Sequence, residues 1–148
     1  DFDWLLWTLG PVERVTARSA RFSPNPPASG DHAVATLRHA SGAISHVEAS
    51  WMDPGGFRTE IEVAGREAVL EWDSHRAPAV RTTTPDGRST DNGLAPADDP
   101  YYRELRGFLD AVATGTPPPV TAREGLAALR VALAAVESAR RGGEPVTL

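Results

Sequence analysis

Arg58-Thr59-Glu60-Ile61-Glu62-Val63-Ala64, then Gly65-Arg66-Glu67, then Ala68-Val69-Leu70-Glu71-Trp72, reads as two strands folded back across a short turn. Thr59, Ile61 and Val63 fall on one face, and Glu60 and Glu62 on the other. That period of two belongs to a half-buried strand. Two such runs separated by a short glycine-led connection make a β-hairpin.

The same grammar extends upstream. His32 to His39 and Ile44 to Trp51 are strands joined by the tight Ala40-Ser41-Gly42-Ala43 connection, and Asp53-Pro54-Gly55-Gly56 is a turn. Ser23 to Asp31 is a loop on its Pro, Asn, Ser and Gly content. Val12 to Phe22 alternates, although its two faces are mixed. Trp4, Leu5, Leu6, Trp7 and Leu9 form a short apolar helix that Gly10-Pro11 stops.

Downstream, Val80 to Thr84 is a further strand, and Pro85 to Asp98 is polar, rich in Asp, Gly and Pro, and read as a mobile connection. Asp99 can cap and Pro100 suits a first helical position, which predicts a helix over Pro100 to Ala113 with Leu105, Phe108, Leu109 and Val112 as its stripe. Thr121 and Glu124 form a capping box. The helix behind them presents Leu126, Leu129, Leu133 and Val136, ends at Gly142-Gly143, and leaves Val146-Thr147-Leu148 as an edge strand. Strands bunched together with segregated helices predict an α+β fold: an open, mostly antiparallel sheet in one layer, with the helices on one face. There is no βαβ alternation and no GxGxxG, so a nucleotide-binding Rossmann unit is not expected within residues 1–148.

The 148 residues are the size of one domain. A formal charge of -5 argues against a nucleic-acid or anionic-membrane partner. Cysteine is absent, which fits a reducing cytoplasm. All basic residues are Arg, so no lysine chemistry originates here, and no apolar run approaches the roughly 20 residues of a membrane span. The chain opens on Asp1-Phe2-Asp3-Trp4-Leu5-Leu6-Trp7, in the middle of an amphipathic pattern and without Met. It therefore reads as part of a longer protein.

Four segments in order resemble the C-terminal domain of the glucose–fructose oxidoreductase, inositol dehydrogenase and rhizopine-catabolism family (Gfo/Idh/MocA), over essentially the whole chain. Asp1 to Leu6 is similar to the end of the family's His-x-x-Asp helix. Gly42-Ala43-Ile44 through Ser50-Trp51 is similar to its hairpin strand. Thr59 to Gly65, followed by Ala68-Val69-Leu70, is similar to its next strand pair. Asp99 to Leu105, Phe108, Gly115 to Pro118 and Val120-Thr121 through Ser138-Ala139 are similar to its closing helices.

The resemblance implies a single C-terminal domain at 1–148, with the Rossmann domain that binds NAD or NADP missing from the chain. It also implies a sugar, polyol or related hydroxylated substrate and a homo-oligomer, such as a dimer, built on the free sheet face. In that family a Lys and an Asp/His pair arrange proton and hydride transfer. The spacing puts the His immediately before Asp1 and the others upstream, so no catalytic residue is expected in this chain. No cofactor is expected to bind residues 1–148 alone.

Asp3 matches the Asp three residues after that His, where some members contact a substrate hydroxyl; a capping or solvent-facing role is the other reading. Tyr101 stands where family members can place a tyrosine on the substrate, and a phenol suits a polyol because it offers a hydroxyl and a flat apolar face. It is equally an aromatic at a helix start. Phe57 lies where some relatives carry a substrate-contacting Tyr but lacks the hydroxyl. Arg58 could bind a carboxylate or phosphate in a fork, or pair with a neighbouring Glu.

Trp51 reads as a sheet-packing residue that could also stack on a pyranose. His32, His39, His46 and His75 lack metal spacing, and no metal site is expected. Glu60, Glu62, Glu67 and Glu71 read as a polar or interface face. These readings together predict part of an NAD(P)-dependent oxidoreductase that supplies substrate contacts and an oligomer surface. A stand-alone sheet domain for carbohydrate binding or oligomerisation is the alternative, and a pseudoenzyme that kept the fold is a weaker one.

Overall fold

The antiparallel ladder divides into two sheets in the computed structural model, which describes residues 1–27, 30–77, 79–92 and 99–148. The chain forms two compact units, residues 1–52 with 111–148 and residues 53–110. Every strand pairing in both is antiparallel. The α+β class holds. So does the antiparallel pairing, with the strands falling into two hydrogen-bonded sheets: among the described residues no ladder joins the strands before the Asp53 turn to those after it.

In the first unit, helix α1 (Phe2–Leu9) leads into β1 (Val12–Ala20), β2 (His32–His39) and β3 (Ile44–Ser50). The sheet order is β3-β2-β1-β8, with β8 (Val146–Thr147) returning along the free edge of β1 as the last residues predicted. The mixed faces of β1 have a cause. The register slips between Val12 and Arg14, so Val12 and Val15 both reach the core although they stand three positions apart. From there Val15 and Ala17 point to the core, joined by Ala35 and Leu37 of β2.

Helix α3 (Ala122–Arg140) lies on that core face. Its Thr121–Glu124 capping box forms as read from sequence. The packing face is not the predicted one. Val131, Ala134 and Ser138 are buried, while Leu126, Leu129, Leu133 and Val136 are exposed. Small side chains let the helix come close enough for Ser138 Oγ to accept the Ala17 N–H at 2.8 Å and donate to the Glu144 carbonyl at 2.6 Å. The hydroxyl thus serves β1 just past the point where β8 stops pairing.

His39 is a further buried polar anchor. Its Nδ1–H donates to the Gly10 carbonyl at 2.8 Å, and in the neutral ring Nε2 accepts from the Ser45 hydroxyl at 2.9 Å. Ser41 Oγ donates to the Leu9 carbonyl at 2.8 Å. The β2–β3 hairpin therefore satisfies carbonyls at the end of α1 that the helix itself cannot.

In the second unit, β4 (Glu60–Ala64), β5 (Val69–Asp73), β6 (Val80–Thr83) and β7 (Ser89–Asn92) run in sequence order. β7 lies in a stretch expected to be an irregular connection. Its residues are polar and show no apolar alternation. It forms through its register with β6, where Arg81 Nε donates to Asp91 Oδ1 at 2.7 Å and Thr83 meets Ser89. The remainder of the expected connection, residues 93–98, lies outside the described residues.

Helix α2 (Pro100–Thr114) starts as predicted, with Asp99 Oδ1 accepting the N–H groups of Tyr101 and Tyr102. Its predicted stripe of Leu105, Phe108, Leu109 and Val112 is exposed. Trp51, expected to pack, is 84% exposed.

Candidate functional site

In the first unit, α1 and the first turns of α3 enclose a concavity of about 490 Å³. Trp4, Leu6, Trp7 and Val120 give it apolar walls, and Asp3 and Glu124 contribute carboxylates. α1 is amphipathic over only eight residues, so its inner Leu5 is buried while Trp7 stays 81% exposed. The two carboxylates differ. Glu124 Oε2 accepts the Thr121 hydroxyl and N–H, each at 2.7 Å, and these bonds hold it below its ordinary carboxylate range. Asp3 sits in the first turn of α1, exposed, and accepts no hydrogen bond from another described residue. A free carboxylate beside two indole faces can accept ligand hydroxyls while the rings cover apolar C–H surface.

In the second unit, Phe57 and Arg58 lie just before β4, and Tyr101 lies in the first turn of α2. The Phe57 ring is 90% exposed, and its carbonyl accepts from His75 Nε2 at 3.0 Å. Tyr101 is 74% exposed. Arg58 is committed to carboxylates. Its Nε and Nη2 reach Asp73 at 3.3 and 2.8 Å, and Nη2 also meets Glu60 at 2.6 Å. The Arg58 hydrogen bond, aided by the His75 N–H, takes Asp73 down to about 2, and Asp73 raises Arg58 in return. Of the two readings of Arg58, pairing within its own strand pair is the geometry observed. Asp3 thus belongs to one unit, and Phe57, Arg58 and Tyr101 to the other.

Sequence reasoning missed a second feature of this unit, a shallow concavity of about 270 Å³ on sheet β4–β7. Glu60, Glu62, Glu71, Asp73 and Arg76 line it. The register sets Glu60 opposite Asp73 and Glu62 opposite Glu71. The signal was present in the alternation of the two strands. It became readable only with the turn length, which fixes who faces whom.

The described residues form no Rossmann-type cradle for a dinucleotide. All strand pairings are antiparallel, so no helix N-terminus follows a strand of a parallel sheet to receive a pyrophosphate.

Residues 1–148 match the family model described as oxidoreductase family, C-terminal alpha/beta domain. The uncharacterized oxidoreductase YrbE of Bacillus subtilis is 31% identical over 146 residues, covering 93% of this chain and 43% of that protein. Myo-inositol 2-dehydrogenase of Thermotoga maritima is 33% identical over 115 residues, covering 73% of this chain and 34% of that protein. A solved oxidoreductase from Agrobacterium radiobacter, in complex with NAD+, L-tartaric acid and magnesium, superposes with a TM-score of 0.76 at 25% identity. It covers 99% of this chain and 46% of that one. The chain therefore spans less than half the length of the relatives it matches.

Proposed function

This chain belongs to the Gfo/Idh/MocA oxidoreductase family as its C-terminal alpha/beta domain, and on that premise we propose that it forms the substrate-side platform of an NAD- or NADP-dependent enzyme acting on a sugar, polyol or related hydroxylated compound. The cofactor and the catalytic Lys, Asp and His would sit on a Rossmann domain and helix preceding Asp1, outside these residues. The enzyme would work in the cytoplasm and as a homo-oligomer built on its sheet faces.

Hydride leaves a carbinol carbon only as its hydroxyl proton is drawn off, so substrate hydroxyls must be held in a fixed pose. The observation that carries this reading is the concavity beside Asp3. A free carboxylate at the start of α1 can accept a substrate O–H while Trp4 and Trp7 shield the carbon skeleton. Tyr101 would add a phenol that donates or accepts, and Phe57 an apolar cover. Arg58 would meet an anionic substituent only by exchanging its bonds to Asp73 and Glu60.

The test has two arms. Residues 1–148 alone should leave NADH fluorescence unchanged at micromolar concentrations, whereas the same residues joined to their upstream polypeptide should bind. In the joined protein, polyol-dependent reduction of NAD or NADP should fall roughly tenfold to a hundredfold in kcat/KM with Asp3→Asn, with NADH affinity unchanged. Tight NADH binding by residues 1–148, or an Asp3→Asn enzyme with unaltered kinetics on its substrate, would overturn the assignment.

A further inference from the structure

Each sheet carries a like-charge pair set directly across its ladder, and the two pairs have opposite sign. On the first sheet Arg14 stands opposite Arg38. Val15 and Ala17 face α3, so Arg14 and Thr16 project from the other side of the sheet, while the Arg18 guanidinium lies against Gly143. Among the described residues neither Arg14 nor Arg18 has a carboxylate partner, and Arg38 has only Glu13 at 3.8 Å. On the second sheet Glu62 stands opposite Glu71. Arg58 is held by Asp73 and Glu60; Arg81 stands opposite Glu71 on the next strand, but its guanidinium donates to Asp91. Glu62 and Glu71 line the shallow concavity described above.

Like charges directly opposite in an antiparallel pair are destabilising. One isolated chain bears that cost twice, while two chains can cancel it. We propose that two copies of this chain meet with the arginine face of sheet β3-β2-β1-β8 from one copy on the carboxylate face of sheet β4-β5-β6-β7 from the other. Arg14 and Arg38 then fork onto Glu62 and Glu71, a geometry that guanidinium and carboxylate groups match well. This rests on the reading above that the chain self-associates through its sheet faces, and it names which face meets which.

Sedimentation equilibrium of the 148-residue chain tests both. The unaltered chain should associate, and its dissociation constant should rise about tenfold between 50 and 500 mM salt. R14E/R38E makes both faces acidic, and E62R/E71R makes both basic. Each variant alone should associate at least about a hundredfold more weakly, and an equimolar mixture of the two should recover the unaltered affinity. Circular dichroism checks that both variants stay folded, and recovery on mixing is itself proof that they do. A chain that is monomeric at every concentration overturns self-association and this pairing together. A chain that associates while both variants match it, or while the mixture fails to recover, overturns the pairing alone.

Discussion

The two sheets of this protein share a strand count and an antiparallel ladder, yet they are held together by different physics. The first is held by packing. Val15, Leu37 and His39 of its strands are fully buried, as is Ser138 of α3, the helix that packs on this sheet. The second is held by its ladder and by charge pairs at its surface. Val80 is the buried side chain among its described strand residues, and Arg58, Arg76 and Arg81 meet Asp73 and Asp91 at a part-exposed surface. Buried apolar area contributes in any salt, whereas exposed pairs are screened and contribute little. Alternation in sequence thus announces a strand without saying which source of stability it will have.

The sharpest way to break this contrast is to remove core from the first sheet. Leu37→Ala should cost about 2–5 kcal/mol in a urea titration, because a side chain with no exposure leaves a cavity. A loss below about 1 kcal/mol would mean that the packed sheet does not carry the fold. Amide hydrogen exchange sharpens the other side. Amides of β5 and β6 should exchange roughly two orders of magnitude faster than those of β1 and β2, since sparsely buried ladders open locally. Equal protection would show the second sheet to be as well supported as the first. Ser138→Ala comes next, at about 1–3 kcal/mol, because the Ala17 N–H and Glu144 carbonyl lose their partner. Its Cys variant should recover little, since a thiol is a weak donor and acceptor.

The same contrast explains what could be read before the coordinates. Hairpins, caps and the edge strand were legible, because a turn residue or capping box is a local device whose partners lie within a few positions. The packed faces of the helices were not. Leu126, Leu129, Leu133 and Val136 look like a core stripe by hydropathy, but close approach to the sheet selects the smaller Ala134 and Ser138. β7 was hidden because its sequence is polar, and the side chains that meet β6 there are Asp91 with Arg81 and Ser89 with Thr83. At the candidate site, Asp3 was named from its motif and has a concavity beside it. Trp7, Val120 and Glu124 were legible only as helix, closing-segment and capping residues, because side chains more than a hundred positions apart meet there. Arg58 was named with two roles, and only the strand register, which sets Glu60 across from Asp73, shows which of them the fold fills.

The smallest expected effect separates the sheets through one aspartate in each. Asp31 is taken down to about 2 by the Ser23 hydroxyl and N–H, with the Phe22 N–H assisting, which ties the loop after β1 to the start of β2. Asp73 is taken down to about 2 chiefly by the Arg58 guanidinium. A carboxyl with a lowered folded pKa binds protons more readily unfolded. Each therefore contributes stability that is present above its ordinary value of 3.8 and lost as pH falls from there toward 2. Asp31→Asn and Asp73→Asn should each flatten the acid limb of a stability–pH curve over that window and leave the slope near neutrality alone. Salt should tell them apart. The donors on Asp31 are neutral, so its share should persist in about 1 M salt, where the Debye length is roughly 3 Å, while the share from Asp73 shrinks. If both shares vanish together in salt, the loop of the packed sheet is held by charge as well, and the division drawn between the two sheets fails at that point.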